Sequence, residues 1–221
     1  MAAPDDVAIP QSIVAACRQM NALGINQGTS GNISVRWRDG LLITPSGIPY
    51  ERMTHEDIVP ITLDGSYQHR LQPSSEWRFH CDIMKARDDV GAIVHAHPIY
   101  ATAFAICRKE IPAVHYMIAA VGGPTIRCGA YASYGTAELS EIAVAALAGR
   151  NACLLANHGM IATGPDLDKA MWLAVEVETL CKQYAAALKI GTPHVLSDDE
   201  IAQTVERFRH YGARSDQPPD I

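Results

Sequence analysis

The sequence predicts an α/β fold in which a mixed sheet is layered with helices. Strand-like and helix-like segments are interleaved along the whole chain. In the first third, short apolar runs are joined by tight turns at Asp39-Gly40 and Asp64-Gly65, the signature of hairpins. The 221 residues are 48% hydrophobic and 19% charged, a balance that suits one folded domain and excludes a disordered chain. A chain of this length buries roughly 70% of its unfolded surface and needs no disulfide staple.

The elements follow in order. Residues 1–10 read as a loose lead-in. Over residues 11–23, Ile13, Val14, Cys17 and Met20 fall at helical spacing, and Gly24 suits the C-terminal cap. The glycine-rich loop Asn26-Gln27-Gly28-Thr29-Ser30-Gly31-Asn32 feeds a strand over 33–37, and the Asp39-Gly40 turn returns the chain into 41–44. The loop Pro45-Ser46-Gly47-Ile48-Pro49 comes next, then an extended run over 58–63 closed by Asp64-Gly65. Ser74 or Ser75 can cap a helix running to about residue 87. Residues 92–97 read as a strand, and Pro98 opens a helix at a position that tolerates proline. The Ala-rich stretch 136–149 is helical, 152–157 is a strand ending at His158-Gly159, and 167–190 is a long amphipathic helix. Ser197-Asp198-Asp199-Glu200 forms a capping box for a last helix to about residue 211. Residues 213–221 carry adjacent prolines and read as a mobile tail. No repeat or linker divides the chain, so 1–221 is read as a single domain.

Charge and cysteine usage narrow the function class. The net charge is −6, with no basic run, so no nucleic-acid partner is expected. The six cysteines are spread without a CxxC pair, as free thiols in a reducing compartment would be. The N-terminus shows neither a basic nor an apolar leader region, and no apolar run reaches about 18 residues, so no membrane association is expected. The expected location is the cytoplasm.

The sharpest chemical signal is His95-Ala96-His97 on a predicted strand. Side chains two apart share a strand face, so the imidazoles converge. Two nitrogens on one face are half of a zinc site, although two hydrogen-bonded histidines at a sheet end would look the same. His158 follows a strand, where sites are often built, but a loop histidine bonded to the backbone is equally compatible. Glu76 falls in the first turn of the helix after Pro73-Ser74-Ser75. A carboxylate is favoured there by the helix dipole alone, and it can also ligate a metal or act as a base. Of the remaining histidines, His55, His69, His80, His115, His194 and His210, most read as surface or structural. Three loops could hold an anion through backbone N–H groups and small hydroxyls: residues 28–32, Ser46-Gly47 and Ser74-Ser75. None is a nucleotide-binding loop, and each alone could be an ordinary turn. Together beside a metal candidate they suit a phosphorylated small molecule.

Five ordered motifs carry a resemblance: residues 26–36, residues 43–50, Pro73-Ser74-Ser75-Glu76-Trp77-Arg78-Phe79-His80, His95-Ala96-His97 and Asn157-His158-Gly159. From about Gln11 to Gly212 the chain resembles the class II aldolase/adducin family, and within it the bacterial fuculose-phosphate aldolase branch. His115-Tyr116-Met117-Ile118 and Phe208-Arg209-His210-Tyr211-Gly212 also resemble that branch. The resemblance implies a three-layer α/β/α domain with a mixed, mostly antiparallel central sheet. It implies a homotetramer with active sites at subunit interfaces, and a Zn2+ ion, with Mn2+ or Co2+ as alternatives, held by His95, His97 and His158. Glu76 matches the catalytic acid/base that can also ligate the metal. Thr29, Asn32, Ser46, Gly47, Ser74 and Ser75 match a phosphate pocket. Tyr116 matches a catalytic tyrosine donated by the neighbouring subunit, and Tyr211 one on the C-terminal segment.

The implied reaction cleaves a ketose 1-phosphate to dihydroxyacetone phosphate and an aldehyde through a metal-stabilised enediolate. The ketose would be L-fuculose 1-phosphate, 5-deoxyribulose 1-phosphate or 5-methylthioribulose 1-phosphate, the last two in salvage metabolism. Ala96 and Tyr134 depart from the branch's pattern and leave the aldehyde open. Sister enzymes with the same histidines are pentulose-phosphate epimerases, a methylthioribulose-1-phosphate dehydratase and a sugar-acid phosphate decarboxylase. Adducin head domains use the fold without catalysis, but this chain keeps the three histidines and Glu76.

Overall fold

The computed structural model describes residues 4–210. The order is α1 (Pro4–Ala22), β1 (Asn32–Trp37), β2 (Gly40–Ile43), β3 (Val59–Thr62), α2 (Trp77–Ala86), β4 (Ala92–Ala96), α3 (Ile99–Ile106), β5 (Arg127–Gly129), α4 (Ala137–Ala146), β6 (Ala152–Leu155), β7 (Gly159–Gly164), α5 (Leu167–Ile190) and α6 (Asp198–His210). The seven strands form one sheet in the order β3-β2-β1-β4-β7-β6-β5. Every pair is antiparallel except β5 with β6, so the sheet is mixed and mostly antiparallel as expected.

Strand alternation sorts the core into two layers. Ile33, Val94, Ala96, Leu154, Met160 and Ala162 face α1, α3 and α5. Ile43, Ile61, Ile93, Cys153, Leu155 and Ile161 face α2 and α4 with Phe79. Complete burial of Phe79 alone contributes about 1.5–3 kcal/mol. The result is the three-layer α/β/α arrangement.

Local sequence explains most boundaries. The end of α1 is a Schellman cap: Gly24 takes φ 69°, its N–H donates to Asn21 O, and the Ile25 N–H donates to Met20 O. The buried Ile25 and Met20 supply the apolar contact that usually accompanies it. Asp166 caps α5 through a 2.8 Å bond from Lys169 N. Ser197 and Glu200 form the expected capping box of α6.

Several boundaries differ from expectation. α1 begins at Pro4, so residues 4–10 of the expected lead-in are helical, with Pro10 inside the helix. The β1–β2 turn is Arg38-Asp39, with Arg38 at φ 53°. Gly40 instead opens β2, where a Cβ would lie 2.2 Å from Ile61 O. β5 and β7 do not stand out in the sequence. β5 has three half-buried residues, and β7 is buried along its whole length, which erases the alternation a surface strand shows. The helix expected from Ser74 or Ser75 starts at Trp77, with Glu76 itself at the cap position and no side-chain cap bond. The expected tail at 213–221 lies outside the described residues. Among the described residues, no helix is long and apolar enough to cross a membrane.

Candidate active site

The site lies at one end of the sheet. Antiparallel pairing brings the start of β1 against the end of β4, with Asn32 opposite His95. It also brings the start of β7 against that same end, with Met160 opposite Ala96. The β6–β7 turn therefore delivers His158 beside the histidine pair, far from it in sequence. Asn157 takes the left-handed φ of 56° in that turn, which Asn tolerates better than most residues. Its carbonyl side-chain oxygen accepts a 3.2 Å bond from Arg108 Nε.

Gly159 has a separate purpose. A Cβ there would sit 2.5 Å from His97 Cδ2 and 2.6 Å from Ala96 O, so only glycine lets the ring approach. Gly159→Ala is expected to push His97 aside, weaken metal retention and destabilise the fold by about 1–3 kcal/mol. Metal analysis and thermal unfolding would show both changes, and an alanine variant with full metal content and unchanged Tm would refute this reading of the contact.

The three imidazoles converge, with ligating nitrogens all within 4.8 Å of one another. His95 Nδ1 donates to Met160 O at 2.9 Å, which leaves Nε2 as the bare lone-pair nitrogen. That nitrogen lies 2.9 Å from His97 Nε2 and 3.1 Å from Glu76 Oε2. Glu76 Oε1 lies 3.1 Å from His158 Nε2 and has no other partner. A carboxylate and three imidazole nitrogens packed this closely are held together by positive charge, either a proton on a ring nitrogen or a metal ion among them. The donor set, three imidazoles and a carboxylate, is that of a divalent metal site such as zinc. The residues therefore fit a metal ion.

Electrostatics agree with the geometry. Burial alone would raise the Glu76 pKa, but the imidazoles of His95 and His158 overcome it and hold the carboxyl well below the usual carboxylate range. Burial pushes the His97 imidazole down to about 3, assisted by His95 and His158. Glu76 is thus an anion and His97 a neutral ligand at physiological pH.

Glu76, His97 and His158 open onto a cleft of about 390 Å³, bordered also by Thr29, Ser30, Ser75, Tyr131, Tyr134 and Asn157. Two of the candidate anion loops are zipped together. Ser46 Oγ donates to Pro73 O at 2.9 Å, and Ser74 N donates to Thr44 O at 2.9 Å. Gly47, at φ 73°, turns the first of these loops. The third loop is held from beneath by the Tyr50 hydroxyl, which donates to Gly31 O. Ser74 is buried, its hydroxyl accepting from Glu76 N at 3.3 Å. Asn32 is also buried and donates from Nδ2 to Glu76 Oε2 at 2.9 Å.

Tyr116 is not brought into this cleft within the chain. Tyr116 starts a 3₁₀ helix, Tyr116–Val121, and is 52% exposed. Its ring packs near Phe208 and lines a separate cavity of about 910 Å³ with Trp172 and Lys169. Tyr211 lies outside the described residues. Sequence reasoning passed over Ser34, Tyr131 and the buried bonds of His80. Of the two readings open for it, surface or structural, His80 takes the structural one, being fully buried. Its spacing of four from Glu76 put it on the same helix face, which was the available signal.

Fold and site together define a class of protein: the chain belongs to the class II aldolase and adducin family, whose N-terminal domain model matches residues 11–185. Two curated relatives make the comparison sharper. The chain is 51% identical over 212 residues to a 5-methylthioribulose-1-phosphate/5-deoxyribulose-1-phosphate aldolase of Rhodospirillum rubrum, covering 96% of each. It is 50% identical over 210 residues to an L-fuculose phosphate aldolase of Escherichia coli, covering 95% of this chain and 98% of the relative. A solved L-fuculose 1-phosphate aldolase superposes with a TM-score of 0.89 at 40% identity, covering 95% of this chain and 98% of the other. The chain therefore stands among the family's aldolases, which are carbon–carbon lyases.

Proposed function

We propose that this protein is a zinc-dependent aldolase that cleaves a ketose 1-phosphate to dihydroxyacetone phosphate and an aldehyde. The observation that carries this reading is the meeting of three imidazole nitrogens and one buried carboxylate at the mouth of a cleft. His95, His97 and His158 hold the ion, and Glu76 can complete its coordination. A divalent ion there supplies Lewis-acid stabilisation of the negative charge left when the C3–C4 bond breaks. Glu76 moves the proton at C3 of the dihydroxyacetone phosphate half. Thr29 and Ser75 border the cleft, Asn32 and Ser74 bond to Glu76, and Ser46 and Gly47 belong to the loop bonded to Pro73, so these loops would receive the phosphate near the N-terminus of α2. No lysine lines the cleft, in keeping with chemistry that needs no Schiff base. A cytoplasmic location goes with six cysteines that are all unpaired.

Tyr116 handles the proton on the C4 oxygen, which becomes the aldehyde, and it does so from the neighbouring subunit of a homotetramer. Its exposure on a different face from the histidines is what supports a role across an interface. Tyr211 joins it from the C-terminal segment. Complementation tests this arrangement. Glu76→Gln and Tyr116→Phe chains are each expected to be nearly inactive. Mixed and reassembled, they should regain activity, because some sites then combine an intact Glu76 with an intact Tyr116. Mixtures no more active than their parents would place both residues in one chain's site.

The reaction itself is tested with a substrate panel on metal-loaded protein. Fuculose 1-phosphate, 5-deoxyribulose 1-phosphate and 5-methylthioribulose 1-phosphate are supplied, with coupled detection of dihydroxyacetone phosphate and a chelator control. Metal-dependent product from at least one is expected, and the highest kcat/KM names the aldehyde. No product from any of them would move the assignment to epimerase, dehydratase or decarboxylase chemistry.

A further inference from the structure

We propose that His80 is a positioning residue for Glu76, acting through a buried one-way chain of hydrogen bonds from Ser34 through His80 and Asn32. The proposal rests on the reading of Glu76 as the residue that moves the substrate proton. Ser34 Oγ lies 2.7 Å from His80 Nδ1, His80 Nε2 lies 2.6 Å from Asn32 Oδ1, and Asn32 Nδ2 lies 2.9 Å from Glu76 Oε2. All four side chains are buried.

The direction of each bond follows from the last one. An ionised carboxylate only accepts, so Asn32 must turn its amide nitrogen toward Glu76. Its amide oxygen then faces His80 and can only accept, so the His80 proton sits on Nε2. In the neutral ring Nδ1 is left bare and must accept, and the Ser34 hydroxyl is the donor. One tautomer and one amide orientation satisfy the whole chain. Burial keeps the His80 imidazole neutral, with its pKa pushed down to about 3.

The chain is placed where a carboxylate needs holding. Glu76 sits at the cap position of α2 and makes no capping bond with its side chain. Asn32 fixes Oε2, while Oε1 has the His158 ring nitrogen as its neighbour. His80 is one turn further along the same helix, so the anchor and the group it anchors move together. Phe79 stacks on the His80 ring at 4.6 Å and meets His95 edge-on at 5.4 Å, which fixes both rings. Phe79, Ile43, Ile93 and Ile161 supply the apolar packing of the layer in which this chain lies. A polar chain there gains little stability over apolar packing, and what it provides is a defined orientation.

The test compares His80→Phe, His80→Gln and Ser34→Ala in the metal-loaded enzyme, with Glu76→Gln as reference. His80→Phe keeps a ring against Phe79 but loses the donor to Asn32. It is expected to lower kcat by about 10–100-fold, with KM and metal content little changed. His80→Gln, whose amide can donate to Asn32 Oδ1, should recover most of that loss. Ser34→Ala removes only the far link and should cost less, in the same direction. In the wild-type protein, ¹⁵N NMR of the imidazoles should show His80 protonated at Nε2 and bare at Nδ1, a readout independent of turnover and of whether any variant folds. Equal losses in His80→Phe and His80→Gln would overturn the proposal in favour of simple packing. A bare Nε2 would overturn it too, as would a rise in KM at constant kcat. The two readings fail separately: an inactive Glu76→Gln beside a fully active His80→Phe removes only the chain, whereas a fully active Glu76→Gln removes the reading on which it rests.

Discussion

Glu76→Gln is expected to cut turnover by about 100-fold or more while leaving the fold intact. The substitution is isosteric, and its amide oxygen can still accept from Asn32 Nδ2, now 2.9 Å from the carboxylate. What is lost is the charge between His95 and His158, each 3.1 Å from one carboxylate oxygen, and the ability to exchange a proton. The His95 and His158 imidazoles beside this buried carboxyl hold it well below the usual carboxylate range, so glutamine removes the charge they are placed to meet. Steady-state kinetics on the productive substrate, with thermal unfolding as the control for folding, would decide it. A variant with near wild-type kcat would take Glu76 out of the mechanism.

Removal of the metal is expected to abolish cleavage altogether, and His158→Ala to do so with the fold preserved. His158 is the right ligand to remove because its side chain is 12% exposed, whereas that of His95 is completely buried. Truncating His95 would open a cavity against Phe79, and its cost in packing would obscure its cost in ligation. With His158 gone, His95, His97 and Glu76 remain, so one of the four donors gathered at the site is lost along with the ring nitrogen beside Glu76 Oε1. Protein treated with a chelator should lose dihydroxyacetone phosphate production and regain it on addition of Zn2+, with Mn2+ or Co2+ as comparisons. His158→Ala should purify with far less than one metal per chain and respond weakly to added ion. Undiminished activity in metal-free protein would exclude the metal-dependent reading.

The histidine pair was legible because it depends on strand periodicity alone. Residues two apart on a strand share a face, and the structure brings the His95 and His97 Nε2 atoms to 2.9 Å. The helix over 167–190 was legible for a similar reason, having helical spacing, and it spans Leu167–Ile190. β7 was not legible, since a strand buried on both faces has no alternation to read. The bonds of His80 were hidden for a related reason. Four residues from Glu76, it shows as a helix-face neighbour, but its partners Ser34 and Asn32 come from a strand across the layer.

The sequence by itself determined the α/β class, the candidate ligands and the loops able to hold an anion, because each rests on local chemistry: turn residues, caps and side-chain spacing. The tertiary structure decided which candidates meet. Antiparallel registers set Asn32 opposite His95 and Met160 opposite Ala96, and so delivered His158 to the pair. Close packing then required glycine at 159 and put Glu76 among the imidazoles, while Tyr116 was left on another face. Register and layer packing are set by the sum of long-range burial, and no local window of sequence contains that sum.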